Sequence, residues 1–251
     1  MKRCIAALLT GRGNSTLKDK NVLSVLGHPL LWWPATAARH CCRITDFFCS
    51  SDDDAILSAA AECGYTGICR PAKLARPETQ HADVIIHALE MMRSQGCTPD
   101  ILVVLLANNG IVKSEWIETS IKTLEEDPTL SACVPVMEEM DCHPYRCKRI
   151  DEDGLIAPWF DFAGRDISTN RQDLPKNYML CHNFWTLNVK RSIFAKKGGQ
   201  QPWAFMGDRV KPIIVEEGFD VHVAEDITRT ERWLTENILK DTYMGGGISE
   251  G

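Results

Sequence analysis

Short apolar runs and amphipathic stretches alternate through the first half of the chain. Residues 5–9 form a five-residue apolar run of the kind that makes a fully buried strand. A helical pattern near 29–40 follows, then a strand over 44–49. Asp52, Asp53 and Asp54 can cap and charge a helix over 55–63, which Gly64 stops. Residues 66–69 read as a short strand, and 80–94 as a helix with Val84, Ile85, Ala88, Leu89 and Met92 on one face. The most apolar run, ILVVLL at 101–106, reads as a central parallel strand. A helix over 113–126 and a strand over 132–137 complete the series. Repeated strand-then-helix units of this length predict an α/β fold with a doubly wound, mostly parallel sheet.

The alternation breaks after Val136. Residues 143–180 are rich in Pro, Asp, Arg and Asn and have no helical period. An antiparallel excursion or insertion is therefore expected at about 140–182, serving subunit contact or walling an acceptor site. Strand character returns at 183–188 and 213–215, and a last helix is expected over about 229–239. The expected organisation is one domain over 1–244, with a disordered tail over 245–251.

Composition narrows the function classes. With 251 residues, 44% hydrophobic and 25% charged, the chain suits one soluble globular domain with a full core. A formal charge of −6 argues against a nucleic-acid partner, whose footprint on a protein is basic. No apolar run approaches the roughly 18 residues of a membrane span. The five apolar residues before Thr10 are too few for a signal peptide. Eleven cysteines without a C-x-x-C pair give no zinc signal. Cys4, Cys49, Cys69 and Cys133 sit in apolar surroundings, where a thiol packs as a small hydrophobe. A reducing, cytoplasmic location is expected.

Candidate chemistry concentrates directly after the first strand. Gly11-Arg12-Gly13-Asn14-Ser15 offers small residues whose backbone N–H groups can turn toward a ligand. Arg12, Lys18 and Lys20 add three cations past the strand's carboxyl end, the edge where open α/β sheets bind ligands. Such a loop suits a triphosphate, although neither the Walker pattern nor the dinucleotide glycine fingerprint is present. A solvated turn with scattered lysines is the plain alternative.

The stretch TGRGNSTLKDKN at 10–21 resembles the signature loop of the acylneuraminate cytidylyltransferases. Arg12, Ser15, Lys20 and Asn21 fill matching positions, with one residue fewer between Ser and Lys. SSD at 50–52, RPAKLA at 70–75, HALE at 87–90, HPYR at 143–146, RQDLP at 171–175 and DVHVAEDITRTE at 220–231 follow in the family's order. The resemblance implies a Rossmann-like, nucleotide-diphospho-sugar transferase fold and a homodimer. It implies transfer of CMP from CTP to an acidic acceptor, a nonulosonic or ulosonic acid sugar or a related acid such as a phosphonate. Pyrophosphate would leave, with Mg2+ or Mn2+ as the divalent metal. Displacing pyrophosphate needs positioned cations more than a protein nucleophile.

By position, the resemblance makes Arg12, Lys20 and Asp220 catalytic. Gly11, Arg12, Gly13, Asn14, Ser15, Lys20, Asn21, Arg70, His81 and Asn109 fall on the nucleotide side. Arg171, Gln172, His182, Asn183 and Trp185 fall on the acceptor side, and Asp220 with His222 on the metal. The departures mark a divergent branch. Ala107 and Asn109 replace a Gln and a Thr that help read cytosine, and Asn183-Phe184-Trp185 replaces Asn-Gly-Ala. Asp220-Val221-His222 replaces an Asp-Ile-Asp metal motif, and imidazole shifts preference from Mg2+ toward Mn2+ and softer ions. A metal-dependent glycosyltransferase on a related fold and a non-catalytic nucleotide-binding protein are the alternatives. Plain structural roles also exist: Arg70 and Arg171 in surface ion pairs, and His182 as a satisfied interior histidine.

Overall fold

The structure is a computed structural model that describes residues 3–13, 17–195 and 199–240. In chain order, β1 is Ile5–Thr10, β2 Ser24–Val25, β3 His28–Pro29, α1 Trp32–Arg39, β4 Asp46–Ser51, α2 Asp54–Glu62, β5 Thr66–Cys69, α3 His81–Ser94 and β6 Ile101–Leu106. Then come α4 Ser114–Glu126, β7 Ala132–Glu138, β8 Lys148–Ile150, β9 Ile156–Pro158, β10 Tyr178–Leu180, β11 Phe184–Asn188, β12 Val210–Ile214 and α5 Ala224–Leu234. The expected α/β architecture is present: an eight-stranded, mostly parallel sheet.

β1 lies between β4 and β6 and is parallel to both. β5 extends the sheet beyond β4, also in parallel. The period-2 side-chain alternation sorts the central strands into two cores. Ile5, Ala7 and Leu9 join Ile101, Val103 and Leu105 on one face, with residues of α1, α2 and α4. Ala6 and Leu8 join Leu102, Val104 and Leu106 on the other, under Ile85, Ala88 and Met92 of α3. Burial on both faces is why these strands are continuous apolar runs.

The antiparallel component is β11, which runs between β6 and β7. Val136 pairs with Leu180 of β10 and with Ile214 of β12, so those strands flank β7 on opposite sides. β10 and β11 are thus one antiparallel run along β7, interrupted at Cys181, His182 and Asn183. Three extra residues on this side of the ladder make an irregular, multi-residue bulge, and bulges re-aim side chains. This one sits beside the carboxyl end of β6, at the mouth of the sheet.

Several details depart from the sequence reading. The helix expected from residue 29 begins at Trp32, because residues 24–29 form the β2–β3 hairpin. Leu26 and Gly27 turn it with φ of 51° and 84°, the successive positive values of a type I′ turn. Leucine rarely adopts that conformation, so the pattern carries no hairpin signal. The last helix begins at Ala224, five residues earlier than expected, because Asp226 caps it by accepting from the backbone of His222 and Val223. Cys69, expected in apolar surroundings, is exposed. It lies on β5, the edge strand of the sheet among the described residues. The excursion is antiparallel, with a β8–β9 hairpin. The tail 245–251 lies outside the described residues.

Candidate active site

A cleft of about 260 Å³ opens at the carboxyl ends of β1 and β6. Thr10 and Gly11 form its floor with Leu106 and Asn108, and Arg12, Lys20, Arg70, Arg76 and Asp220 are its charged lining. Among the described residues four cations face one carboxylate, in a chain whose overall charge is negative. The site is therefore a local concentration of positive charge built for an anion.

Two of the cations, Lys20 and Arg70, are held by backbone carbonyls of other elements, and the Arg12 turn is held by a side chain. Arg12 follows β1 in a turn fixed by Asn21, which is buried and donates its Nδ2–H to the Arg12 carbonyl at 3.0 Å. Lys20 donates from Nζ to the Val221 carbonyl at 3.0 Å, tying the first loop to the segment that carries Asp220. Burial pulls the Lys20 ammonium below its ordinary value, opposed by Asp220 and reinforced by Arg12. Arg70, just past β5, donates to the Ser50 carbonyl at 2.6 Å and to Ser50 Oγ at 3.3 Å. Its side chain is buried, yet among the described residues no carboxylate forms an ion pair with it. Burial lowers its pKa, with Asp52 opposing. A buried guanidinium anchored only through a serine is costly alone and is relieved by an incoming anion.

The glycines act by allowing close approach. A Cβ on Gly13 would meet the Asp53 carboxylate at 2.5 Å, and one on Gly11 would meet Ala107 Cβ at 3.1 Å. The Gly13 N–H is taken by Asp52 Oδ1 at 3.2 Å. This turn packs against the start of α2, whose N-terminus Asp53 caps through Ala55 and Ile56. Asn14 and Ser15 lie outside the described residues.

Asp220 enters on an irregular segment after β12. Asn109 donates from Nδ2 to Asp220 Oδ1 at 2.9 Å, and its Oδ1 accepts the Ile111 N–H at 2.9 Å. Asn109 is fully buried. It positions the carboxylate, and its neighbour Asn108 lines the cleft in its place. His222 is exposed and does not line the cleft. Its backbone N–H caps onto Asp226, which turns the segment away.

The expected acceptor residues divide. Trp185 is fully buried, because β11 directs it onto the α3 face of the sheet. It does not line the cleft itself, and its ring lies 5.1 Å from that of His81, which does. His182 packs 5.6 Å from Trp185 and 5.3 Å from Trp203. Burial lowers the pKa of both His81 and His182. Asn183 is buried and spans the Ile111 and Glu217 carbonyls, holding the bulge to the Asp220 segment. Arg171 and Gln172 lie exposed in the excursion, outside the cleft lining, with Arg171 paired to Asp141. Arg76 and Thr79 line the cleft but were missed by the sequence reading. They lie in an irregular stretch between RPAKLA and α3, where no periodicity marks an inward side chain.

The sequence model of the cytidylyltransferase family matches residues 6–151, more than half of the chain. No curated protein matches the chain. Among solved structures, CMP:2-keto-3-deoxy-manno-octonic acid synthetase complexed with CTP is similar, with a TM-score of 0.66 and 12% identity over 94% of this chain and 100% of that one. The 4-diphosphocytidyl-2C-methyl-D-erythritol synthase of Anaerococcus prevotii is similar with a TM-score of 0.61 and 16% identity, over 93% of this chain and 97% of that one. Another structure of a 4-diphosphocytidyl-2C-methyl-D-erythritol synthase gives 0.60 and 12% over 93% and 99%. At such identities these likenesses speak for the fold, and the family match speaks for the chemistry: the chain belongs to the cytidylyltransferase family and is a nucleotidyltransferase.

Proposed function

We propose that the protein transfers CMP from CTP to a small acidic acceptor, an ulosonic or nonulosonic acid sugar or a related acid such as a phosphonate, and releases pyrophosphate. The observation that carries this is the cleft itself, in which Arg12, Lys20, Arg70 and Arg76 converge around Asp220. A triphosphate brings enough negative charge to satisfy them. In this reading Arg12 and Lys20 take the triphosphate and stabilise charge that builds on the leaving pyrophosphate. Arg70, anchored by Ser50, flanks the nucleotide with Asn21. Cationic side chains left over favour an acidic rather than a neutral acceptor.

The donors fit a hard divalent cation. Mg2+ is bound through one or two carboxylates plus substrate phosphates, and Asp220 offers one carboxylate to the cleft, oriented by Asn109. Asp220 would hold such a cation, which would supply positive charge to offset that of the phosphates. Asp220 alone fits Mg2+ or Mn2+ equally, since the exposed His222 lies off the lining.

Nothing in the composition invites a nucleic-acid partner, and no described helix is long and apolar enough to cross a membrane. A cytoplasmic homodimer completes the reading. The excursion supports it by exposing Ile150, Leu155, Ile156, Trp159 and Phe160, with Ile156 at 77%; such clustered apolar exposure marks interfaces. The experiment is pyrophosphate release from the four nucleoside triphosphates against a panel of acidic acceptors. CTP-specific release with one acceptor class is expected. No binding of any triphosphate by calorimetry would end the proposal.

A further inference from the structure

At the opposite edge of the sheet, three side chains from distant parts of the chain meet. Cys4 precedes β1, Asp46 opens β4, and Cys97 lies between α3 and β6. Cys4 Sγ is 3.9 Å from Cys97 Sγ and 3.9 Å from Asp46 Oδ2, and all three ligand atoms lie within 4.8 Å of one another. We propose that Cys4, Cys97 and Asp46 form a binding site for a thiophilic divalent cation of the zinc class, separate from the catalytic cleft.

The spacing carries the assignment. Zinc–sulfur bonds of about 2.3 Å at tetrahedral angles place two sulfurs about 3.8 Å apart, close to the separation seen. A disulfide would need the sulfurs at about 2.05 Å. Two thiols and a carboxylate are a borderline-soft donor set that selects zinc over magnesium. The surroundings are arranged as for a metal site. Thr45 Oγ1 donates to Asp46 Oδ2 at 2.6 Å, orienting the carboxylate. Asp100 Oδ2 accepts the Cys4 N–H at 2.9 Å, adding a second carboxylate beside the sulfurs. Two carboxylates next to two thiols disfavour a bare thiolate pair and favour one around a dication.

The ligands are 42 and 93 residues apart along the chain, which is why no C-x-x-C spacing announces them. A six-residue β1 at about 3.3 Å per residue separates this edge from the cleft by about 20 Å. A cation here would clasp the starts of β1 and β4 to the turn before β6, a structural role.

The test uses the reduced, metal-stripped full chain with Co2+ as the probe and no nucleotide. One equivalent should bind with a thiolate-to-cobalt charge-transfer band, which an oxygen-ligated ion at Asp220 cannot give, and Zn2+ should displace it. The band should vanish in a Cys4→Ser/Cys97→Ser double variant. Asp46→Asn, at a partly exposed position, keeps a thiolate band while weakening Co2+ by more than about tenfold; it covers the case in which the double variant does not fold. Zn2+ should raise the melting temperature of the wild type more than that of Asp46→Asn at the same concentration. A wild type without a thiolate band, or an equal band in the double variant, overturns the proposal. So does equal cobalt affinity in Asp46→Asn.

Discussion

Asn109 and Asp220 are 111 residues apart in the chain and joined by a 2.9 Å hydrogen bond at the mouth of the sheet. The asparagine is sealed from solvent and holds the Ile111 N–H with its other end, so it can orient the carboxylate but cannot meet substrate. Asn109→Ala should lower kcat by about 10- to 100-fold and raise the Mg2+ concentration needed for half-maximal rate. It should also cost about 1–3 kcal/mol of stability for the orphaned Ile111 amide. A metal titration of the steady-state rate and a denaturant melt separate the two effects. An unchanged metal requirement would remove Asp220 from metal binding.

Arg12 and Lys20 line the cleft, whereas Lys18 is exposed and outside it. Arg12→Ala should cost about 2–4 kcal/mol of transition-state stabilisation, read as kcat/KM for the triphosphate. Lys20→Ala should lose activity and also free the Val221 carbonyl. Lys18→Ala should stay near wild type. Equal losses at Lys18 and Lys20 would show that the loop is used in another register.

His81 and His182 give the molecule an acid limit. Burial lowers both pKa values, opposed in each case by Asp220. A histidine whose folded pKa lies below its ordinary 6.5 binds fewer protons folded than unfolded. Its contribution to stability is therefore complete above about pH 6.5 and is lost as pH falls toward and through the folded value. Melting temperature should drop on acidification in that window, and the drop should be smaller in His81→Gln. A pH slope identical in wild type and variant would refute the assignment.

Trp185 should act through stability. It is fully buried against His81, His182 and Phe205. Trp185→Ala should cost about 3–5 kcal/mol in urea unfolding, with Trp185→Phe much milder. At temperatures where Trp185→Ala stays folded, acceptor KM should shift little. A selective rise in acceptor KM with unchanged stability would place the ring in the pocket.

The sequence by itself determined the sheet's central strands, the helices that cover them and the loop after β1. Those features are encoded locally: a strand buried on both faces must be apolar throughout, a covering helix must repeat its apolar face, and a cationic turn is visible as residue types. RPAKLA likewise pointed to Arg70, and the opening loop to Arg12 and Lys20. What tertiary structure decided is how residues distant in the chain share work. Asn109 is adjacent to a cleft residue in sequence, yet the turn after β6 aims Asn108 inward and Asn109 into the core. The interruption at Cys181 to Asn183 moves His182 and Trp185 to the rear of the site, and no periodicity foretells a bulge. The Cys4–Cys97 pair and the Asn109–Asp220 bond join segments about a hundred residues apart. Such contacts depend on strand order and register, which local side-chain patterns do not specify.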